Sequence, residues 1–212
     1  MIFELQSAVS QRWFAMCDRL GIAAEKRDYE GLLRGWRSFG RRYHTLAHLE
    51  ACLAEFDRVS AVAERPAAVE CALWFHDAVY RSWRSDNEAR SADWAARVLG
   101  ERGGDGELIE RVRVAILATK HAGPEGATDV GLVVDIDISI LGQPPGVYDR
   151  FEQAVRCEYG WVPRSRYRQA RRAVLRSFLD RPAIYAWPEM RERYEEPARA
   201  NLARAIAQLE AG

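Results

Sequence analysis

Apolar residues recur every three to four positions along most of this chain, which is the period of an amphipathic helix. Helices of this kind are predicted at residues 3–20 and 44–59. Pro66 begins a further segment, PAAVECALWFHDAVY, which is apolar almost all round and therefore indicates a helix at the centre of the protein. The same periodicity predicts helices at residues 106–120, 145–159, 164–179 and 189–210.

Two further segments carry signals of a different kind. Ser85 and Glu88 in SDNE have the spacing of a capping box, which predicts a helix running toward Leu99. The segment GLVVDIDISIL alternates apolar with polar residues, as a strand does. Because no other segment predicts a strand that could pair with it, we expect a helix or an extended turn there. The sequence therefore predicts one all-α domain that spans residues 1–212.

The composition narrows the class of protein. The 31 Lys and Arg residues balance the 31 Asp and Glu residues, so the chain lacks the basic excess typical of nucleic-acid-binding proteins. The four cysteines are scattered in apolar, helix-like surroundings without a C-x-x-C pair, which predicts buried and reduced thiols. The N-terminal segment has no apolar run long enough for a signal peptide or a membrane span. We therefore expect a cytoplasmic protein without a membrane partner, and homo-oligomer formation is left open.

Polar residues interrupt the most apolar of the predicted helices. His76 and Asp77 lie within it, and burying an ionised carboxylate alone costs several kcal/mol or more. A divalent cation between the two side chains would compensate Asp77, and imidazole and carboxylate groups are ligands for Mn, Fe, Co, Ni or Zn. A hydrogen-bonded core histidine is the alternative explanation for any one of these residues taken alone.

Two more polar pairs suggest the same chemistry. His44 and His48 are four residues apart, which places both on one face of a helix. Asp135 and Asp137 interrupt another apolar run. Each pair has an ordinary structural explanation by itself, but together with His76 and Asp77 they favour a metal site.

Five segments that contain these residues, in the order RRYHTLAHL, LWFHDAVY, SDNEARSA, ILATKHA and VVDIDISILG, resemble the HD superfamily of metal-dependent phosphohydrolases. Within it, they are similar to a bacterial family of predicted HD phosphohydrolases whose substrate is uncharacterised. The resemblance covers most of the chain. It implies a helical bundle around a divalent metal ion (Mn, Fe, Co, Ni, Zn or Mg). It also implies that the protein is an enzyme that hydrolyses a nucleotide or another small phosphate ester.

The resemblance also assigns roles to individual residues. It implies that the metal ligands are His48, His76, Asp77 and Asp137. His44 would be the general acid at the leaving group, and Asp77 would also orient the attacking water. Asp135 would support the ligands from the second shell or replace Asp137 as a ligand.

Substrate contacts are expected from four residues, which are Lys120, His121, Glu88 and Asn87. A cationic helix C-terminus is the alternative role for the first two, and helix capping is the alternative for the last two. Arg41 and Arg42 are weaker candidates for a phosphate contact. Trp74, Phe75, Tyr80 and Trp83 would either line a base pocket or pack in the core.

The segments also depart from part of the superfamily. HD enzymes with two metal ions, including the oxygenase branch, have two more histidines between the His-Asp pair and the last aspartate, where this chain has only His121. A hydrolase with one metal ion is therefore favoured, although Asp77 could bridge to a second ion. The rival hypothesis is a non-catalytic HD-fold module that binds a metal or a ligand.

Overall fold

The computed structural model describes the backbone of residues 2–120 and 126–211, and the side chains from residue 9 onward within those ranges. Its described residues form helices and connecting turns without a strand, so the prediction of an all-α fold is confirmed. The α-helices are α1 (Ile2–Arg19), α2 (Lys26–Trp36), α3 (Leu46–Val59), α4 (Pro66–Phe75), α5 (Asn87–Glu101), α6 (Gly106–Ala118), α7 (Asp129–Asp137), α8 (Pro145–Glu158), α9 (Arg164–Leu179) and α10 (Pro188–Ala211). Short 3-10 helices cover Ser60–Val62 and Ile138–Gly142.

Helix α4 lies at the centre of the bundle, as its uniform apolarity predicts. It contacts α1, α3, α5, α6 and α7, and every residue from Ala68 to Phe75 is buried. The Trp36 indole of α2 donates a hydrogen bond to the Trp74 carbonyl at 3.0 Å. Sequence analysis missed α2, although its buried residues Tyr29, Leu32, Leu33 and Trp36 have helical spacing. The single-domain organisation stays a prediction.

Helix α7 resolves the ambiguous segment in favour of a helix. Thr128 caps its N-terminus by accepting a hydrogen bond from the Gly131 amide at 3.3 Å, and a 3-10 turn continues it to Gly142. The helix contacts α3, α4 and α6, and the residues from Gly131 to Ile136 are all buried. The β-branched residues of this segment prefer strands, but the helix is buried on every side. Packing against the neighbouring helices therefore overrides that preference.

The ends of three helices differ from the predictions. Helix α4 ends at Phe75, so His76 and Asp77 lie at its C-terminus rather than within it. Helix α3 begins at Leu46, which leaves His44 in the preceding loop and not on the same helix as His48. The capping box is wrong, because α5 begins after Asp86 and shows no side-chain cap.

Two further observations concern the cysteines and the membrane. Cys17, Cys52 and Cys71 are buried as predicted, but Cys157 is exposed on α8. In the described part of the chain, no single helix has the length and apolarity to cross a membrane, while the bent pair Asp129–Gly142 and Pro145–Glu158 passes that test on length and composition.

Candidate metal centre

Three donor atoms from three helices converge on one point. His48 lies in the first turn of α3, His76 follows α4, and Asp137 is the last residue of α7. The Nε2 atom of His48 is 3.2 Å from Nε2 of His76 and 3.1 Å from Oδ1 of Asp137. The remaining pair, Nε2 of His76 and Oδ1 of Asp137, is 3.5 Å apart. Because α4 packs against both α3 and α7, tertiary packing brings the three together.

These separations fit a shared metal ion. Nitrogen and oxygen ligands about 2.0–2.2 Å from a tetrahedral ion lie about 3.4 Å from one another. Both imidazoles are buried, and Asp137 is nearly so. His76 Nδ1 is 2.8 Å from the Leu73 carbonyl, which only accepts, so Nδ1 carries the proton and Nε2 is left as the ligand atom.

Asp77 and Cys52 compete for a fourth ligand position. Asp77 Oδ2 lies 3.4 Å from His76 Nε2, which matches the separation of two ligands on one ion. Cys52 Sγ belongs to the group of potential ligand atoms of His48, His76 and Asp137, all within 4.8 Å of one another. However, it is 3.7 Å from both ring nitrogens of His48, so it lies beside the ring rather than beyond Nε2, where an ion would sit. Asp77 thus approaches one of the three ligand residues and Cys52 lies beside another, so both are candidates for the fourth position.

Cys52 is a potential ligand that was not predicted from the sequence. All four cysteines were expected to be small buried hydrophobes, although Cys52 follows His48 by four residues and shares its helix face. Burial raises the pKa of the Cys52 thiol well above its usual range, and the charges of Asp137 and Asp77 raise it further.

The carboxylates of the cluster favour a positive charge on His76. Burial alone lowers the pKa of His76, but the charge of Asp77 and the hydrogen bond to Asp137 outweigh it and raise this pKa to about 9. Burial dominates at His48 and lowers its pKa, despite the hydrogen bond to Asp137. A divalent cation bound by these residues would supply this positive charge in place of the proton on His76.

His44 lies beside the cluster. One ring nitrogen faces Asp77, and the other is bonded to Glu158. Its Nδ1 donates to Glu158 Oε2 at 2.6 Å, and its Nε2 is 3.9 Å from Asp77 Oδ2. The ring stacks on Tyr80 with the ring centroids 4.0 Å apart. Burial lowers the pKa of His44, but the charges of Asp77 and Glu158 and the hydrogen bond to Glu158 raise it above its usual value.

Glu158, which sequence analysis did not identify, holds the His44 loop in place. Its Oε1 accepts hydrogen bonds from the backbone amides of Arg42, Tyr43 and His44 at 2.7, 2.8 and 3.1 Å. Burial alone raises the pKa of Glu158, but the bonds from His44 and the amides lower it to about 2. Glu158 is 114 residues from His44 at the end of an ordinary amphipathic helix, so no local pattern marks it.

Arg41 joins the two histidine-bearing loops through its guanidinium. Its buried guanidinium donates to the carbonyls of His44, Asp77 and Ala78 at 2.9, 2.7 and 3.0 Å. It also packs over the Trp36 ring at 5.5 Å from the centroid. Arg41 therefore fixes the position of His44 relative to Asp77.

The cluster lies between two cavities. The tyrosine-lined cavity, of about 360 Å³, is bordered by His44, Asp77 and Asp137, and its walls include Tyr43, Tyr80, Tyr159, Tyr167, Phe151 and Phe178. The arginine-lined cavity, of about 500 Å³, is bordered by His48, Cys52 and Asp137, and its walls include Arg42, Arg58 and Arg150. A larger cavity of about 610 Å³ lies at the start of α4 and α6, away from these residues.

The other residues expected at the site have different positions. Glu88 and Lys120 line the tyrosine-lined cavity, and Lys120 Nζ donates to the Ser85 carbonyl at 3.1 Å. Asn87 is buried and bonds to the backbone of Arg81 in both directions, so it supports a loop. His121 lies outside the described residues.

Asp135 and two of the four aromatic residues lie away from the cluster. Both oxygens of Asp135 accept hydrogen bonds from backbone amides just before α10, at Ala186 and Trp187, and Asp135 is not in the cluster. Trp74 and Phe75 belong to the core and Tyr80 lines the tyrosine-lined cavity, while Trp83 is exposed.

No protein-family model matches the chain, and a search of curated proteins finds none similar to it. The described residues form an all-helical fold in which His48, Cys52, His76 and Asp137 could hold a metal ion.

Proposed function

We propose that the protein is a metal-dependent phosphohydrolase that acts on a nucleotide or another small phosphate ester. One observation supports this most directly: the ligand atoms of His48, His76 and Asp137 converge at 3.1–3.5 Å beside a cavity that His44 and Asp77 also line. The motifs that resemble the HD superfamily contain all five of these residues.

His48, His76 and Asp137 would hold the ion, with Asp77 as the fourth protein ligand. A divalent ion in such a site lowers the pKa of a bound water and polarises a phosphoryl oxygen. Asp77 faces both His76 and His44, at 3.4 and 3.9 Å, so its carboxylate can also orient the attacking water.

His44 is the proposed general acid. The Glu158 carboxylate accepts the Nδ1 proton, which fixes the ring and leaves Nε2 on the side of Asp77 and the cavity. A proton on Nε2 can then pass to the leaving oxygen, and such general acid catalysis typically contributes about 10²–10⁴-fold to the rate.

The tyrosine-lined cavity supplies the proposed substrate pocket. Its volume of about 360 Å³ lies within the range of small-molecule sites. Lys120 offers a cation for the phosphate, and the aromatic walls suit an apolar or planar leaving group. The buried Tyr167 hydroxyl has no hydrogen-bond partner among the described residues, so a polar substrate atom can satisfy it.

A non-catalytic metal- or ligand-binding module is the second candidate. It is favoured by the contacts within the cluster, since His48 Nε2 lies within hydrogen-bonding distance of both His76 Nε2 and Asp137 Oδ1. A hydrogen-bonded polar network can be stable in a protein core.

Elemental analysis and turnover together test the proposal. The wild type, His48→Ala and His44→Ala are purified, checked for folding by circular dichroism and incubated with Mn, Fe, Co, Ni, Zn or Mg. We expect near-stoichiometric metal in the wild type and His44→Ala, and its loss in His48→Ala. Hydrolysis of p-nitrophenyl phosphate, its bis-ester and nucleoside monophosphates should require both histidines.

Three outcomes would contradict the proposal in different ways. A wild type that binds none of these metals would mean that the cluster is a hydrogen-bonded network. A wild type that binds metal but hydrolyses no phosphate ester would support the binding module. Equal metal loss in both variants would contradict the separate roles of His44 and His48.

A further inference from the structure

Three aromatic side chains on three neighbouring loops are exposed to solvent. Phe39 is 97% exposed, Trp83 is 67% exposed and Trp161 is 60% exposed. Phe39 precedes Gly40, whose positive φ of 93° marks a tight turn at the tip of its loop. Large apolar side chains of this kind cost free energy in water unless a partner covers them.

Contacts between the loops show that the three aromatics lie on adjoining loops. The Trp161 indole donates to Ser82 Oγ at 3.0 Å. The Arg81 guanidinium lies over the Trp83 ring at 6.0 Å from its centroid and donates to Ser38 Oγ at 3.3 Å. We call the surface formed by residues 37–42, 80–85 and 160–166 the aromatic–arginine face.

This face carries an excess of positive charge. Its segments read RSFGRR, YRSWRS and GWVPRSR, with seven arginines and no carboxylate, although the whole chain is neutral. All of these arginines except the buried Arg41 are exposed. Arg84 bonds to Asp86, which lies just beyond the second loop. A face with this charge attracts an anionic partner.

The arrangement argues against two kinds of partner. In a two-fold dimer through this face, most of the arginines would face the arginines of the second copy, and Asp86 at its edge already pairs with Arg84. Single-stranded nucleic acid is usually held in a basic groove. Phe39, Trp83 and Trp161 do not line the adjoining tyrosine-lined cavity, and a ring that is 97% exposed protrudes rather than lines a groove.

We propose that the aromatic–arginine face docks on an anionic phospholipid surface. Tryptophan and phenylalanine insert at the boundary between headgroups and acyl chains, while arginines bind the headgroup phosphates. Exposed aromatics on loop tips surrounded by arginines provide both interactions, and a fluid bilayer needs no matching groove.

Docking would bring the tyrosine-lined cavity close to the lipid. Tyr80 and Tyr159 line that cavity, and the chain continues from them to Trp83 and Trp161 within three residues. The inference about docking stands on the loops alone and does not depend on metal binding or phosphate hydrolysis at the cluster.

Vesicle co-sedimentation tests the inference on the full chain. We expect binding to vesicles that contain phosphatidylglycerol, little binding to pure phosphatidylcholine, weakening with added salt, and a blue shift of tryptophan fluorescence. Each arginine near an anionic surface raises partitioning about five-fold, so Arg37→Gln with Arg81→Gln should weaken it roughly 25-fold. The triple variant Phe39→Ser, Trp83→Ser and Trp161→Ser should lose binding and the blue shift.

The control is Phe14→Ala, which removes an exposed aromatic on α1, outside this face, and should bind vesicles as the wild type does. Circular dichroism would verify that all variants fold. The inference is overturned if the wild type does not bind anionic vesicles, or if the triple variant binds them equally well. Binding of a single-stranded oligonucleotide in place of vesicles, or a dimer that only the triple variant disrupts, would assign the face to those partners instead.

Discussion

Glu158→Gln tests whether one buried carboxylate holds the His44 loop. The carboxylate uses Oε1 for three backbone amides and Oε2 for His44 Nδ1. An amide has a single acceptor oxygen, so glutamine can serve the backbone amides or His44 but not both. One side of the network must then lose its partner, although the side-chain volume is kept.

The expected loss of folding stability follows from the hydrogen bonds of Glu158 and from its pKa. A hydrogen bond to a charged group contributes about 1.5–3 kcal/mol to the free energy of unfolding. The pKa of Glu158 falls from the ordinary 4.5 to about 2, which corresponds to about 3 kcal/mol and agrees with the upper end of that range. For a chain of this length, such a loss lowers Tm by about 3–12 °C.

The pH dependence of the effect provides a second signature. Because the folded pKa is lower than the unfolded pKa, the carboxylate stabilises the fold fully above the unfolded value of 4.5 and progressively less as the pH falls toward about 2. Because Glu158 also raises the pKa of His44, the difference in unfolding free energy between the wild type and Glu158→Gln should be largest below the ordinary His pKa of 6.5 and should shrink below pH 4.5.

Urea unfolding followed by circular dichroism between pH 7 and pH 3 measures this difference, with Glu196→Gln on the exposed surface of α10 as the control. The control should change the free energy by less than about 0.5 kcal/mol. A Glu158→Gln protein as stable as the control at pH 7 would refute the reasoning, as would a difference that does not change with pH.

Two further predictions concern the cluster and its support. Asp77→Asn should weaken metal binding by at least about 10–100-fold, which is the cost of losing a residue that only supports a ligand, and competition with a chelator measures it. Cys52→Ser should bind metal nearly as the wild type does. The reverse order would make the thiolate the fourth ligand. Gly35→Ala should lower the free energy of unfolding by about 1–3 kcal/mol, because the added Cβ would lie 2.6 Å from the Ala78 carbonyl oxygen next to Asp77. Gly31→Ala on the same helix meets no atom closer than 3.4 Å and should be neutral or stabilising in the same urea titration, so equal destabilisation of both variants would contradict the proposed clash.

Local pattern determined the helical fold and much of the candidate cluster. The spacing of apolar residues predicts most of the helices because each helix buries one stripe of its surface, and the uniformly apolar α4 indicates the centre. His76 and Asp137 stand out in the sequence because polar residues in an apolar run need compensation wherever the run folds. The same logic marks Asp77.

Only the tertiary structure decided which distant groups meet these residues. Helix α7 is helical because burial on all sides overrides the strand preference of its residues, which no local window can show. Cys52, Arg41 and Glu158 lie in ordinary amphipathic or basic contexts, and their contacts with the cluster depend on how α3, α4 and α8 pack. Periodicity encodes which face of a helix is buried, but the partner of that face is set by packing between segments far apart in the chain, and the support of the His44 loop is therefore visible only in the folded protein.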